Sequence, residues 1–241
     1  MSYPQLTEAA ARTGVIDAVD AAREALAALH RHPANVRGWP RTAAAAAVRA
    51  ARASAVLDGG SAAIDSDDDA VRDPVLAGAL RVSAALPSLA AVWSRSPLQA
   101  LAKMHTLAAA DLVDNSDALG RPVRAAGKVA AAAELARSTD WPVPVLVAVV
   151  HGELLTARPF DQASGVVARA AGRLAAMGGG LDPRGLGVPE VAQLRAGENY
   201  RQLAARFADG SVEGMAGWLV ASCEWLQAGA REGASIASAA G

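Results

Sequence analysis

The residues best placed to do chemistry lie in one stretch, HGELLTARPFDQASGVVARAAGRL, from His151 to Leu174. An apolar run ends at Arg158, Pro159-Phe160 breaks it, and Asp161, Gln162, Ala163, Ser164 and Gly165 form a small-residue loop before Arg169. A helix starting near Ser164 would offer free backbone N–H groups and the positive end of its dipole, which bind anions whatever the side chains are. Arg158 and Arg169 flank that point. Arg158, Ser164, Gly165 and Arg169 are therefore the candidate anion- or nucleotide-binding residues. Arg158 cannot act as a general base, because a guanidinium stays protonated above about pH 12. Gln162 is a neutral amide and a poor ligand for Mg²⁺. Val166 offers a phosphate nothing. Two readings stay open: docking of a phosphate, nucleotide or phosphorylated partner without metal, with no certain cofactor and no assigned catalytic residue, or a simple turn with Arg158 paired to a surface acid.

Other reactive side chains have structural explanations. His151 lies on an apolar run and reads as a hydrogen-bonded core histidine. His30 and His32 flank a helix end, as caps or solvent-facing groups. His105 has no acid or Cys at metal-ligand spacing, so no metal site is expected there. Cys223, the sole cysteine, reads as packed rather than nucleophilic, and it excludes a disulfide framework within the chain. AMGGGLDPRGLG lacks the Lys-Ser/Thr of a phosphate loop and reads as a helix stop with turns.

The elements that must position these residues are helices. The chain has 241 residues and a net charge of −1, so it can bury a full core and carries no field that would draw nucleic acid or anionic lipid. Ala makes up about a quarter of it, which favours helix. Val15, Val19, Ala22, Leu26 and Leu29 mark one helix face. A second helix is expected from Pro40 to the stop at Asp58–Gly60, and further helices near 74–86, 97–111 and 165–177. The acidic run DSDDDAVRD reads as a solvated linker, and residues 112–127 as a loop or short hairpin. WPVPVLVAVVHGELL fits either a buried helix or a buried strand. Met215, Leu219, Cys223 and Leu226 stripe a closing helix flanked by Trp218 and Trp225, followed by a flexible tail over 231–241. No signal peptide is visible, and no apolar run reaches the roughly 18–20 residues needed to cross a bilayer. A cytoplasmic protein, without membrane or nucleic-acid partners, is expected.

The stretch from His151 resembles the signature of Fic-domain proteins, HPFxDGNGRxxR preceded by HxxFxxI. His151 takes the leading His, Leu154 the Phe and Ala157 the Ile. Arg158 falls at the motif His, with Pro159 and Phe160 matching. Asp161 is the free position, and Gln162 stands at the acid. Ala163, Ser164 and Gly165 replace Gly-Asn-Gly, Val166 replaces the first Arg, and Arg169 matches the second. SAVLDG resembles the family's inhibitory helix motif, with Ser54, Asp58 in place of Glu, and Gly59. ALGRPVRAAGK lies where the family has its target-docking flap, and ENYRQLAARFADG with Trp218 resembles the end of the core. The resemblance covers roughly residues 40–230.

It implies an all-α fold: N-terminal helices over 1–60 carrying the inhibitory-type motif, a Fic-like core over 61–230, and the tail. It also implies an ion pair between Asp58 and Arg169. Intact relatives use the motif His to free a target hydroxyl for attack on a nucleotide α-phosphate. Ordinary AMP transfer is not expected from a chain with Arg158 and Gln162 at those positions. The resemblance then implies a pseudoenzyme or regulatory binding module, with a protein partner at the flap near 112–127. The alternative on the same fold is an active phosphate-donor transferase passing nucleotidyl, phosphoryl or phosphocholine groups with a base from elsewhere. A third reading takes VPVLVAVV as a strand of an α/β nucleotide-binding enzyme.

Overall fold

Proline sets the start of many elements. The computed structural model describes residues 4–64, 71–138 and 140–240, and its regular structure is helical, with no strand among the described residues. The first three helices are α1 (Pro4–Ala10), α2 (Thr13–Arg31) and α3 (Pro33–Leu57). The middle of the chain gives α4 (Pro74–Arg95), α5 (Pro97–Ala109) and α6 (Ala126–Leu135), with a 3₁₀ turn at Ser116–Ala118. Then come α7 (Val143–Ala157), α8 (Ser164–Gly178), α9 (Pro189–Ala196), α10 (Glu198–Ala208) and α11 (Val212–Ala240). Proline occupies one of the first two positions of α3, α4, α5, α7 and α9, where its missing N–H costs nothing and its fixed φ suits the helix.

The valine-rich run is a helix, and it forms the centre of the molecule. Val145 to Val150 are all buried, and α7 packs against α6, α8, α10 and α11. Burial on every side outweighs the modest strand preference of valine. The α/β reading fails, because α7 has helices rather than strands as neighbours. Trp218 of α11 donates its indole N–H to the Ala148 carbonyl at 2.8 Å. Gly152 makes this approach possible: a Cβ there would lie 2.7 Å from Trp218 Nε1 and 2.8 Å from the Phe207 ring.

Two prolines expected at helix boundaries, Pro40 as a start and Pro87 just past an end, sit inside helices instead. α3 starts at Pro33 rather than Pro40, and α4 continues past Pro87 to Arg95. An interior proline costs about 3 kcal/mol. Beyond Pro87, Leu89 and Trp93 are buried, and burying a large apolar side chain returns about 1.5–3 kcal/mol. Around Pro40, Asn35 holds the Leu29 carbonyl at 2.9 Å, and Thr42, Ala46 and Ala50 are fully buried. Tertiary contacts win in both places.

Three further expectations change. The 231–241 tail is helical over its described part: α11 runs on to Ala240, with Ala237 buried and Glu232 paired to Arg49 and Arg195. Small residues let this last stretch pack closely. The loop over 112–127 holds only the 3₁₀ turn and no hairpin. By length and composition α4 could cross a membrane, although it packs against α3, α5 and α8. The acidic linker lies mostly outside the described residues, while Asp73 caps α4 by accepting the Leu76 N–H at 2.8 Å.

Candidate functional site

The turn between α7 and α8 is built from strained backbone. Arg158 ends α7 in the left-handed region at φ 43°, and Ala163 precedes α8 at φ 56°. A third such residue, Ala125 at φ 51°, closes the facing loop. These three are the positive-φ residues other than glycine among the described residues. Each costs of order 1–2 kcal/mol for an L-residue, and such strain gathers where function over-determines the backbone. Between them Phe160 is buried, and its N–H and carbonyl are both taken by the Ser164 hydroxyl, at 3.0 and 2.9 Å.

The anion position at the start of α8 is filled by the protein's own carboxylate. Asp58, at the C-terminal end of α3, accepts the Val166 N–H at 3.0 Å and the Arg169 Nη2 at 2.7 Å. Arg169 also donates from Nε to the Ser54 hydroxyl at 2.8 Å and from Nη2 to the Ser54 carbonyl at 2.9 Å. The negative charge thus lies on the N-terminal end of the α8 dipole and on a guanidinium that is only 2% exposed. Gly165 leaves the space: a Cβ there would fall 2.1 Å from Asp58 Oδ1. Gly59, at φ 86°, ends α3 and lets the chain turn away.

Two buried groups back this clamp. Burial works most strongly against the Arg169 charge, but Tyr200 and Asp58 outweigh it and raise its pKa above the ordinary value. Tyr200 itself stays protonated, its pKa raised by burial, so the charge that balances Arg169 at neutral pH is Asp58. His151 Nε2 lies 2.8 Å from the Tyr200 hydroxyl. Burial, and then the Arg169 charge, push the His151 pKa down to about 3, so this imidazole is neutral at physiological pH. It is a core histidine, as the apolar run implied.

The facing loop is stitched to the same turn. The Pro159 carbonyl accepts from Val123 N at 2.8 Å and Arg124 N at 3.3 Å, and the Arg158 carbonyl from Arg124 Nη1 at 3.1 Å. Arg124 also reaches Asp161 at 3.4 Å. His105 joins the two loops. Its ring stacks on Phe160 with centroids 4.0 Å apart, and its Nδ1 accepts the Gly120 N–H at 2.8 Å. The Gln162 backbone lies near the ring and favours its protonated form. Burial prevails and lowers the His105 pKa.

The structure therefore gathers Ser54, Asp58, Gly165 and Arg169 at one point and leaves two candidates outside it. Arg158 and Gln162 are exposed, and neither side chain makes a hydrogen bond or ion pair among the described residues. The Ser164 hydroxyl is committed to Phe160 and is not free for a ligand. The Val166 N–H is one of the free N–H groups expected at the start of α8. Tyr200, His105 and Arg124 were not singled out as parts of the site, since they come from separate helices and loops that only the fold brings together. No cluster of three His, Cys, Asp or Glu side chains that could hold a metal occurs among the described residues.

The architecture matches a crystal structure of a Fic family protein from Desulfovibrio desulfuricans G20. The TM-score is 0.64 at 16% identity, over 93% of this chain and 75% of that one. The chain has a Fic fold. No family model matches the sequence, and no curated protein does either. Within this fold α3 delivers Ser54 and Asp58 to the α7–α8 turn, and the loop after α5 lies against it.

Proposed function

We propose that this chain is a degenerate Fic-fold protein that does not transfer AMP and acts as a regulatory or binding module. The observation that carries the reading is the Asp58 carboxylate seated on the Val166 N–H and the Arg169 guanidinium, where a phosphate would otherwise dock. Arg158 stands where the fold family has its base, and losing a general base lowers a rate by about 10²–10⁴-fold. Gln162 supplies no carboxylate for Mg²⁺. The pocket keeps its backbone strain, its helix N-terminus and Arg169, so it remains an anion site once Asp58 withdraws. Its occupant is a phosphate or nucleotide held without metal.

The protein partner docks at the loop over 112–127. Val123 is 56% exposed there, beside the exposed Arg121 and Arg124. The Val123 and Arg124 N–H groups are already bonded to Pro159, so a target segment would find this edge occupied. That favours recognition by side chains over the edge pairing that an enzyme modifying a protein requires.

Thermal shift and equilibrium binding with phosphate, AMP, ADP and ATP, each with and without Mg²⁺, test the reading. The wild-type chain should respond weakly, Asp58→Ala should gain metal-independent binding, and adding Arg169→Ala should abolish it. Transfer of radiolabelled adenylate to the chain or to a partner would overturn the proposal, as would binding that strictly demands Mg²⁺.

A further inference from the structure

A second buried polar cluster lies between α8, α9 and α11, and its cavity is lined as well by His151 and Arg169 of the site just described. Arg173, Glu190, Gln193 and Ser222 are 8%, 2%, 5% and 5% exposed, and all four line one small cavity of about 30 Å³. Each presents a buried atom with no protein partner: Arg173 Nη1, Glu190 Oε2, Gln193 Oε1 and Ser222 Oγ. Nearly all buried polar atoms in folded chains find a partner. Four unpartnered atoms at one cavity therefore point to a guest.

The donor set describes that guest. Arg173 Nη1 can only donate, Glu190 Oε2 and Gln193 Oε1 accept, and the Ser222 hydroxyl does either. The rest of Arg173 is fixed in place, with Nη2 donating to the Gly185 carbonyl at 3.0 Å and Nε lying 3.9 Å from Glu190 Oε1. A cation would meet the guanidinium, and an anion would meet the carboxylate. A neutral molecule that accepts from Arg173 and Ser222 while donating to Glu190 and Gln193 satisfies all four. Water has this valence. The volume admits one or two molecules, since each needs roughly 10–15 Å³ of such space.

We propose that this cavity is a binding site for one or two ordered waters, which join α8, α9 and α11 into a unit. The bridged groups come from three helices, and the water adds links beyond the Arg173–Glu190 ion pair. The helices it joins include α8, whose first turn holds Asp58.

The sign of a stability change tests the proposal. If water partners these atoms, Ser222→Ala and Gln193→Met each remove a satisfied hydrogen bond and lower the Tm, by about 2–4 °C for a chain of this size. If the cavity is dry, the same substitutions remove unpaired polar atoms and raise it. An unchanged or raised Tm for both variants overturns the proposal. A crystal structure of the full chain should show ordered density within hydrogen-bond distance of Arg173 Nη1 and Glu190 Oε2. An empty cavity there, or an anomalous bromide peak after soaking, also overturns it.

Discussion

The two arginines that bracket the α7–α8 turn live in opposite worlds. Arg169 is 2% exposed and holds three polar atoms of Ser54 and Asp58 through its own donors. Arg158 is exposed, lies in a left-handed conformation, and its side chain touches no polar partner among the described residues. The difference teaches where the energy of the site resides. A buried guanidinium must have its carboxylate, because a charge left alone away from water is costly. A solvated one needs nothing. The α8 side is therefore a structural joint as well as a candidate pocket, and the Arg158 side is free to be read by a partner.

Substitution separates the two halves. Arg169→Ala should cost about 3–5 kcal/mol, because it strands the partly buried Asp58 and unties α3 from the core. Arg158→Ala should stay within about 0.5 kcal/mol. Urea denaturation of both variants decides the matter, and similar losses would abolish the contrast. Acid acts on the buried half too. His151 has a folded pKa of about 3, below its ordinary value of about 6.5, so the native state resists protonation while the unfolded chain accepts it. Stability should be full above about pH 6.5 and fall as pH drops towards 3, with roughly 2 kcal/mol lost by pH 5. His151→Gln should flatten that part of the urea-midpoint profile.

Smaller effects sharpen the picture. Gly165→Ala places a methyl where Asp58 Oδ1 now sits and should cost about 1–3 kcal/mol as the carboxylate is pushed out. Faster amide exchange at Val166 would mark the broken contact. Arg158→Gly should stabilise the chain by about 1 kcal/mol, because glycine enters the left-handed region freely. A loss instead would reveal a contact made by this side chain. The least effect is expected at Cys223, fully buried with its thiol pKa pushed up to about 12 by burial and Glu224. It should resist alkylation in the native state at neutral pH.

Much of the fold was legible because periodic apolar faces survive in sequence. The stripe from Val15 to Leu29 is the buried face of α2, and the closing stripe from Met215 to Leu226 lies on α11. The misplaced helix boundaries at Pro40 and Pro87 share one cause, a local proline signal that distant packing overrode. At the site, the Asp58–Arg169 pair was reachable through the resemblance of two motifs that are far apart in the chain. The Val166 N–H was reachable only as one of the free amides of a helix start, since a backbone donor carries no letter of its own. His105 gave no signal, because its role depends on Phe160 and Gly120, which only the fold brings beside it.

The Asp58 carboxylate is covalently attached to the molecule whose helix start it covers, so on the proposed reading it is a rival that dilution never removes. On that reading an outside anion would capture only the fraction of molecules whose α3 end has swung clear. If that fraction were about one in a hundred, its apparent dissociation constant would rise about a hundredfold over the intrinsic one. Whatever loosens α3, at a surface well away from the pocket, would tune occupancy without touching the bound molecule.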